Sequence, residues 1–321
     1  MPTPIIFDTD PGVDDAQAIA IALAHPDIEL LGLTTTFGNV TIEVATHNAL
    51  LLAELAGQSI PVAQGAAEPL VKLKNPPPGH IHGDNGLGNI VLPEITTQAL
   101  KQSAAQFIVE QVNARPGEVV LVAVGPLGNL AAALQLDPSL VDKVKRVVVM
   151  GGSIREGGNV TPVAEANIFN DPHAAAKVLQ ASWPLTLVGL DATHRCVLDP
   201  QSMARIVEAQ GMLGQVLNES YAFYRAFYQR ALGIDGCCPH DSCALVWLLC
   251  PDLFSVERGY LSVITDGLAE GQTLMAPEKR EFIDTRWSRG TAAEVCMNAD
   301  GPGVIDWIVE TLTTYPSSSS L

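Results

Sequence analysis

The sequence predicts an α/β protein, a single domain built on a mostly parallel central sheet flanked by helices on both faces. Three observations carry that expectation. Short β-rich runs alternate with helical stretches along most of the 321 residues. Several of the runs, EVVLVAV at 118–124, RVVVM at 146–150 and PLTLVGL at 184–190, are continuously apolar, as strands buried on both faces are. The composition, 47% hydrophobic with only 5% aromatics, supplies a Val/Leu/Ala core of the size such a unit needs.

Taken in order, PIIFD (4–8) reads as a buried strand, Asp14 to Ala24 as a helix and Ile28 to Thr36 as a strand. A helix follows from Thr41 to Ala56, with Gly57 closing it. Residues 66–93 contain PPPGHIHGDNGLGN, a Pro/Gly/His/Asn segment too long for an ordinary connector and therefore a candidate functional loop. Helices near 98–115, 129–136 and 171–181 separate the apolar strands, which gives the βαβ rhythm of a parallel sheet. Residues 199–250 read as helical, with aromatics in SYAFYRAFYQRAL. Short strands are expected beyond 255 and a last helix near 302–313. The domain is expected to span 1–315, with a frayed Ser-rich tail at 316–321.

Charge narrows the function. Eighteen Lys and Arg stand against 35 Asp and Glu, a formal net charge of −17. An acidic surface repels phosphate backbones and anionic lipid, so no nucleic-acid or membrane partner is expected. No apolar run approaches the roughly 18 residues of a membrane span. MPTPIIFDTD has neither a basic nor an apolar leader segment, which makes a cytoplasmic location the expectation. The six cysteines, at 196, 237, 238, 243, 250 and 296, form no C-x-x-C pair and are read as free, largely buried thiols.

Ligands of parallel sheets gather at the carboxyl ends of the strands. The first strand ends in FDTDPGVDD, which places Asp8, Asp10, Asp14 and Asp15 within eight residues. Like charges so crowded call for a cation, and a hard divalent ion prefers their oxygens. Neither the EF-hand spacing nor a Walker-A loop is present. Later strand ends present Asn39, the Gly-Pro turn after Val124, then Met150, Asn159, Glu165 and Asn167. That palette of amides with one acid suits hydroxyls better than phosphates. In CCPHDSCAL, His240 precedes Asp241 at a helix start, so one turn offers an acid to a metal and an imidazole to a ligand. His25, His47, His173 and His194 have no such neighbour and are read as structural.

These groups suit hydrolysis of a polyol-bearing molecule. A metal lowers the pKa of a bound water, an aspartate takes its proton, carboxylates stabilise an oxocarbenium ion, and a histidine protonates the leaving group. No G-x-S-x-G elbow points to acyl chemistry.

DTDPGVDDAQAI, from Asp8 to Ile19, resembles the signature of the nucleoside hydrolases, the calcium-dependent ribonucleoside N-ribohydrolases called inosine-uridine preferring. The similarity continues in order through TTTFGNV, IHGDNGLG, VAVGPLGN, VVVMGGS, PVAEANIFNDP, VGLDATH and PHD, spanning at least residues 5–250. The resemblance implies a Rossmann-like nucleoside hydrolase fold and a ribonucleoside substrate of the uridine, cytidine or inosine type. It makes Asp10 the general base, and Asp10, Asp15, Asp241 and the Val124 carbonyl the Ca²⁺ ligands. Asp14, Asn39, Asn167 and Asp241 would grip the ribose 2′- and 3′-hydroxyls, Asn159 and Glu165 the 5′-hydroxyl, and Met150 would lie under the sugar. His240 and His82 match histidines at the leaving base, while Tyr224 and Tyr228 fit the aromatics of a helix that closes over it. Asp8 then stands behind the ligands and orients them. One departure is Ala166, where the family often has an aromatic. The resemblance also implies a homo-oligomer, dimer or tetramer.

Two other readings compete. DTD resembles the aspartyl-phosphate pattern of Mg²⁺-dependent phosphohydrolases, though Gly12 stands where Thr or Val belongs. A non-catalytic intracellular nucleoside or ribose binder shares the composition.

Overall fold

Period-two alternation along the strands divides the core into two halves. The computed structural model describes residues 1–315; the expected tail at 316–321 lies outside the described residues. Ile5 and Phe7, Val120 and Val122, and Val148 and Met150 face one apolar cluster, while Ile6, Leu121 and Ala123, and Val147 and Val149 face the other. Both faces of the sheet are therefore covered, which is why these strands read as unbroken apolar runs. Helices Val13–Ala24, Ile42–Leu55, His240–Leu249 and Gly301–Thr314 contribute to the first cluster, and Ala104–Ala114, Gly128–Leu136 and Pro172–Leu179 to the second.

The sheet has nine strands: β1 (Thr3–Thr9), β2 (Ile28–Thr35), β3 (Val62–Gln64), β4 (Val120–Ala123), β5 (Arg146–Met150), β6 (Leu185–Val188), β7 (Phe254–Val263), β8 (Thr273–Pro277) and β9 (Ala293–Ala299). Their order is β3-β2-β1-β4-β5-β6-β9-β7-β8. From β3 through β9 every neighbouring pair is parallel, and only β7 pairs antiparallel, with β8 and β9. The chain builds outward from β1 to β3, then crosses back to lay β4 on the other side of β1. Connections therefore diverge above β1 and β4, and the crevice between them is where such a sheet binds ligands.

Several elements differ from the expectations. The helix expected from about 98 begins only at Ala104, where Ser103 and Gln106 form a capping box. The helical stretch at 199–250 is two helices, Pro200–Leu232 and His240–Leu249. Gly233 ends the first in a left-handed conformation, and Gly211 interrupts it with non-helical dihedrals. The long loop carries one helical turn, Gly79–His82, and three-residue β3 was too short to read as a strand. None of the described helices is long and apolar enough to cross a membrane.

Candidate active site

Residues just past β1 and β4 form the floor of the site. Asp10 follows β1 directly and is buried. Its Oδ2 accepts the Asn39 backbone N–H at 2.7 Å, whereas its Oδ1 has no hydrogen-bond partner. That free oxygen lies against the turn after β4, where a Cβ on Gly125 would stand 2.5 Å from it. A glycine is needed there for the backbone to approach the carboxylate so closely.

Asp15 is the most heavily supported of the acids. Its Oδ1 accepts from the Thr9 hydroxyl at 2.5 Å and the Asp10 N–H at 3.2 Å, and its Oδ2 from Gly12 N–H at 2.9 Å and Asn39 Nδ2 at 3.0 Å. Asp15 thus also caps the helix that starts at Val13. Asp14 instead has an unpartnered Oδ1, 4.0 Å from His82 Nδ1. Asp241, at the start of helix His240–Leu249, joins them: Asp14, Asp15 and Asp241 each offer an oxygen within 4.8 Å of the others.

Burial pushes the carboxyls of Asp10, Asp14 and Asp241 well above the ordinary range. Repulsion adds to it, from Asp15 at Asp10 and Asp14, and from Asp14 at Asp241. Asp8 sits two residues before Asp10, within β1, where burial raises it to about 7 against hydrogen bonds from Thr34 Oγ1 at 2.6 Å and Asn129 Nδ2 at 2.7 Å. Carboxylates packed together with unpartnered oxygens fit a hard cation, since desolvation and repulsion are relieved only by positive charge or by protons. The tight trio differs from the ligand set implied by resemblance in holding Asp14 where Asp10 was expected. Asp10 lies beside it.

The second group of expected residues converges at β5. Asn167 Nδ2 donates to the Val124 carbonyl at 2.7 Å and lies 3.3 Å from the Met150 carbonyl and 3.6 Å from its Sδ. Glu165 is buried with its carboxylate accepting from Asn167 N–H, Gly152 N–H and Ile168 N–H at 2.9, 2.9 and 3.2 Å. It therefore holds the start of helix Ala166–Asn170 in place. Asn159 is exposed at the rim, its Oδ1 accepting the Ala166 N–H at 3.0 Å.

The third group forms the roof. His82 is buried and takes the Val13 N–H on Nδ1 at 3.2 Å, with the Tyr224 ring centroid 5.1 Å away. His240 does not stand open to a ligand. Its Nδ1 meets Thr193 Oγ1 at 2.7 Å and its Nε2 meets Tyr228 OH at 2.9 Å. Tyr228 OH lies 3.5 Å from Tyr224 OH, and Tyr224 in turn faces Asp14. Burial lowers both His82 and His240 to about 3, so each imidazole is neutral at pH 7.

Residues that the sequence reading passed over do much of the positioning. Thr9, Thr34, Asn129, Thr193 and Asn48, whose Nδ2 joins Pro11 O at 3.0 Å to Asn85 O at 2.9 Å, all hold acids, histidines or loops in place. Thr9, Thr193 and Asn129 lie inside DTD, DATH and GPLGN, but their partners sit on other strands or helices. The cysteines are free, with five buried and Cys250 partly so. Burial pushes the Cys238 thiol up to about 12, against easy oxidation.

The family model described as inosine-uridine preferring nucleoside hydrolase matches residues 5–306. Uridine nucleosidase 1 of Arabidopsis thaliana is 39% identical over 306 residues, 95% of this chain and 91% of the relative. The inosine-uridine preferring nucleoside hydrolase of Crithidia fasciculata is 40% identical over 278 residues, 85% of this chain and 88% of the relative. The solved structure of a plant nucleoside hydrolase superposes with a TM-score of 0.94 at 35% identity, covering 98% of this chain and 99% of that one.

Proposed function

The chain belongs to the inosine-uridine preferring nucleoside hydrolases and is an enzyme that cleaves the N-glycosidic bond of ribonucleosides, and we propose that it does so on uridine, cytidine and inosine with Asp10 as general base. The observation that carries this reading is the Asp10 carboxylate, buried and fixed through Oδ2, with Oδ1 left free to accept a proton.

Ca²⁺ is the proposed ion, held by Asp10, Asp15, Asp241 and the Val124 carbonyl; the crowded, unpartnered oxygens support it. When bound, it supplies a water of lowered pKa. Asp10 takes the proton of the attacking water. Asp14, Asn39, Asn167 and Asp241 hold the 2′- and 3′-hydroxyls and fix the ring as it flattens, while surrounding carboxylates stabilise its positive charge. Met150 packs beneath the sugar. Asn159 and Glu165 meet the 5′-hydroxyl, Asn159 with the Nδ2 that its contact to Ala166 leaves free.

At the other end of the bond, His82, Tyr224 and Tyr228 enclose the base. His240 acts on it through Tyr228, because Tyr228 OH occupies Nε2. We extend the proposal to a cytoplasmic homo-oligomer, dimer or tetramer, with one site in each 1–315 domain.

A panel of uridine, cytidine, inosine, adenosine and xanthosine tests the reading. Equimolar ribose and free base, lost on chelation and restored by Ca²⁺, is the expected result. Inert nucleosides together with phosphate release from nucleotides would transfer the carboxylates to phosphohydrolase chemistry.

A further inference from the structure

The hydrogens along the buried file Thr193, His240, Tyr228 can be assigned from their partners. The Thr193 side chain is fully buried, and its hydroxyl has one partner among the described residues, His240 Nδ1 at 2.7 Å. A hydroxyl carries one hydrogen and a neutral imidazole one N–H. If Nδ1 carried the proton and donated to Thr193, the Thr193 hydrogen would be stranded in a buried place. If Thr193 donates, Nδ1 accepts, Nε2 carries the proton and donates to Tyr228 OH at 2.9 Å. Tyr228 then directs its own hydrogen away from His240, on the side where Tyr224 OH lies at 3.5 Å. One polarity satisfies every group in the file. The Cys238 thiol also lies within reach of Tyr228 but is a weak partner.

We propose that Thr193 is a positioning residue: its hydroxyl fixes His240 as the Nε2–H tautomer and thereby turns the Tyr228 hydroxyl hydrogen toward the site as the donor presented to the departing base. The proposal rests on the reading of this site as a ribonucleoside hydrolase. A phenol that accepts one hydrogen bond donates a stronger one, so the file strengthens Tyr228 as negative charge develops on the base. No proton leaves the imidazole: Tyr228 offers a hydrogen bond, and Thr193 and His240 set its direction.

Two measurements test this. In ¹⁵N-histidine-labelled wild-type protein, with the His240 signals assigned by their loss in His240→Gln, long-range ¹H–¹⁵N correlation is expected to show Nε2 protonated and Nδ1 unprotonated. In Thr193→Val that preference is expected to be lost. In kinetics, Thr193→Val should lower kcat on uridine at least about tenfold, within the roughly 10²–10⁴-fold range of a positioned acid or base. It should leave 4-nitrophenyl riboside, whose leaving group needs no donor, within about threefold. Thr193→Ser should restore the uridine rate. A wild-type Nδ1–H tautomer, an unchanged tautomer in Thr193→Val, or equal losses on both substrates would overturn the assignment. If wild type cleaves no ribonucleoside, the functional reading fails, while the tautomer measurement still decides what Thr193 does.

Discussion

Asn39 grips Asp15 and Asp10 at once: its Nδ2 donates to Asp15 Oδ2 at 3.0 Å and its backbone N–H to Asp10 Oδ2 at 2.7 Å. The loop after β2 thereby fixes the two carboxylates that follow β1. A hydrogen bond to a charged group is worth about 1.5–3 kcal/mol, so Asn39→Ala is expected to lower kcat/KM about ten- to hundredfold. Asn39→Asp, adding a sixth acid to the crowd, is expected to be worse. Steady-state kinetics on uridine checks both, and a silent Asn39→Ala would remove Asn39 from the site.

The acid cluster sets the pH dependence of stability without a cation. Asp8 is raised from 3.8 to about 7, and Asp10, Asp14 and Asp241 are raised as well. The folded chain therefore binds more protons than the unfolded chain across that window. This contribution to stability is full below the unfolded value near 3.8 and is lost as pH rises toward 7. Thermal melts in chelator should show Tm falling over this range relative to melts in excess Ca²⁺, with the gap widest at the upper end. Parallel curves would mean that the cluster does not bind the ion.

His240→Ala is expected to reduce hydrolysis of uridine and inosine by about 10²–10⁴-fold while sparing 4-nitrophenyl riboside to within about threefold. Equal losses on all three substrates would make His240 structural.

The turn at Gly88 packs tightly against the helix that carries Tyr224 and Tyr228. Gly88 has φ +71°, and a Cβ there would stand 2.9 Å from Phe223 Cβ and 3.1 Å from Ser220 Cα, on the helix that carries Tyr224 and Tyr228. Gly88→Ala therefore strains the turn and pushes that helix away. KM should rise by about tenfold, since misplaced positioning groups cost one to two orders of magnitude. An unchanged KM would show that the loop and the helix need not meet.

Legibility in the sequence followed range. β1 and its DTDPGVDD extension could be read because the strand, the turn and the acids lie within a dozen residues. The same holds for β4, β5 and β6, whose continuous apolar runs reflect helices on both faces. Strand order could not be read, because the crossover that sets β4 beside β1 leaves no local mark. The partners of the motif residues were hidden for the same reason: His240 meets Thr193 from 47 positions away, and Asn129 reaches Asp8 across 121. Sequence also presented His240 as an open, titratable imidazole. The folded chain buries it, neutral, behind Tyr228.

The most direct test of the account compares wild type with Asp10→Asn, which keeps the size of the side chain and removes the base. With Ca²⁺ present, uridine binding by calorimetry should stay within about tenfold of wild type, while the rate of ribose release falls by about 10³-fold or more. Undiminished turnover in Asp10→Asn, or a wild type that binds uridine and never cleaves it, would contradict the account.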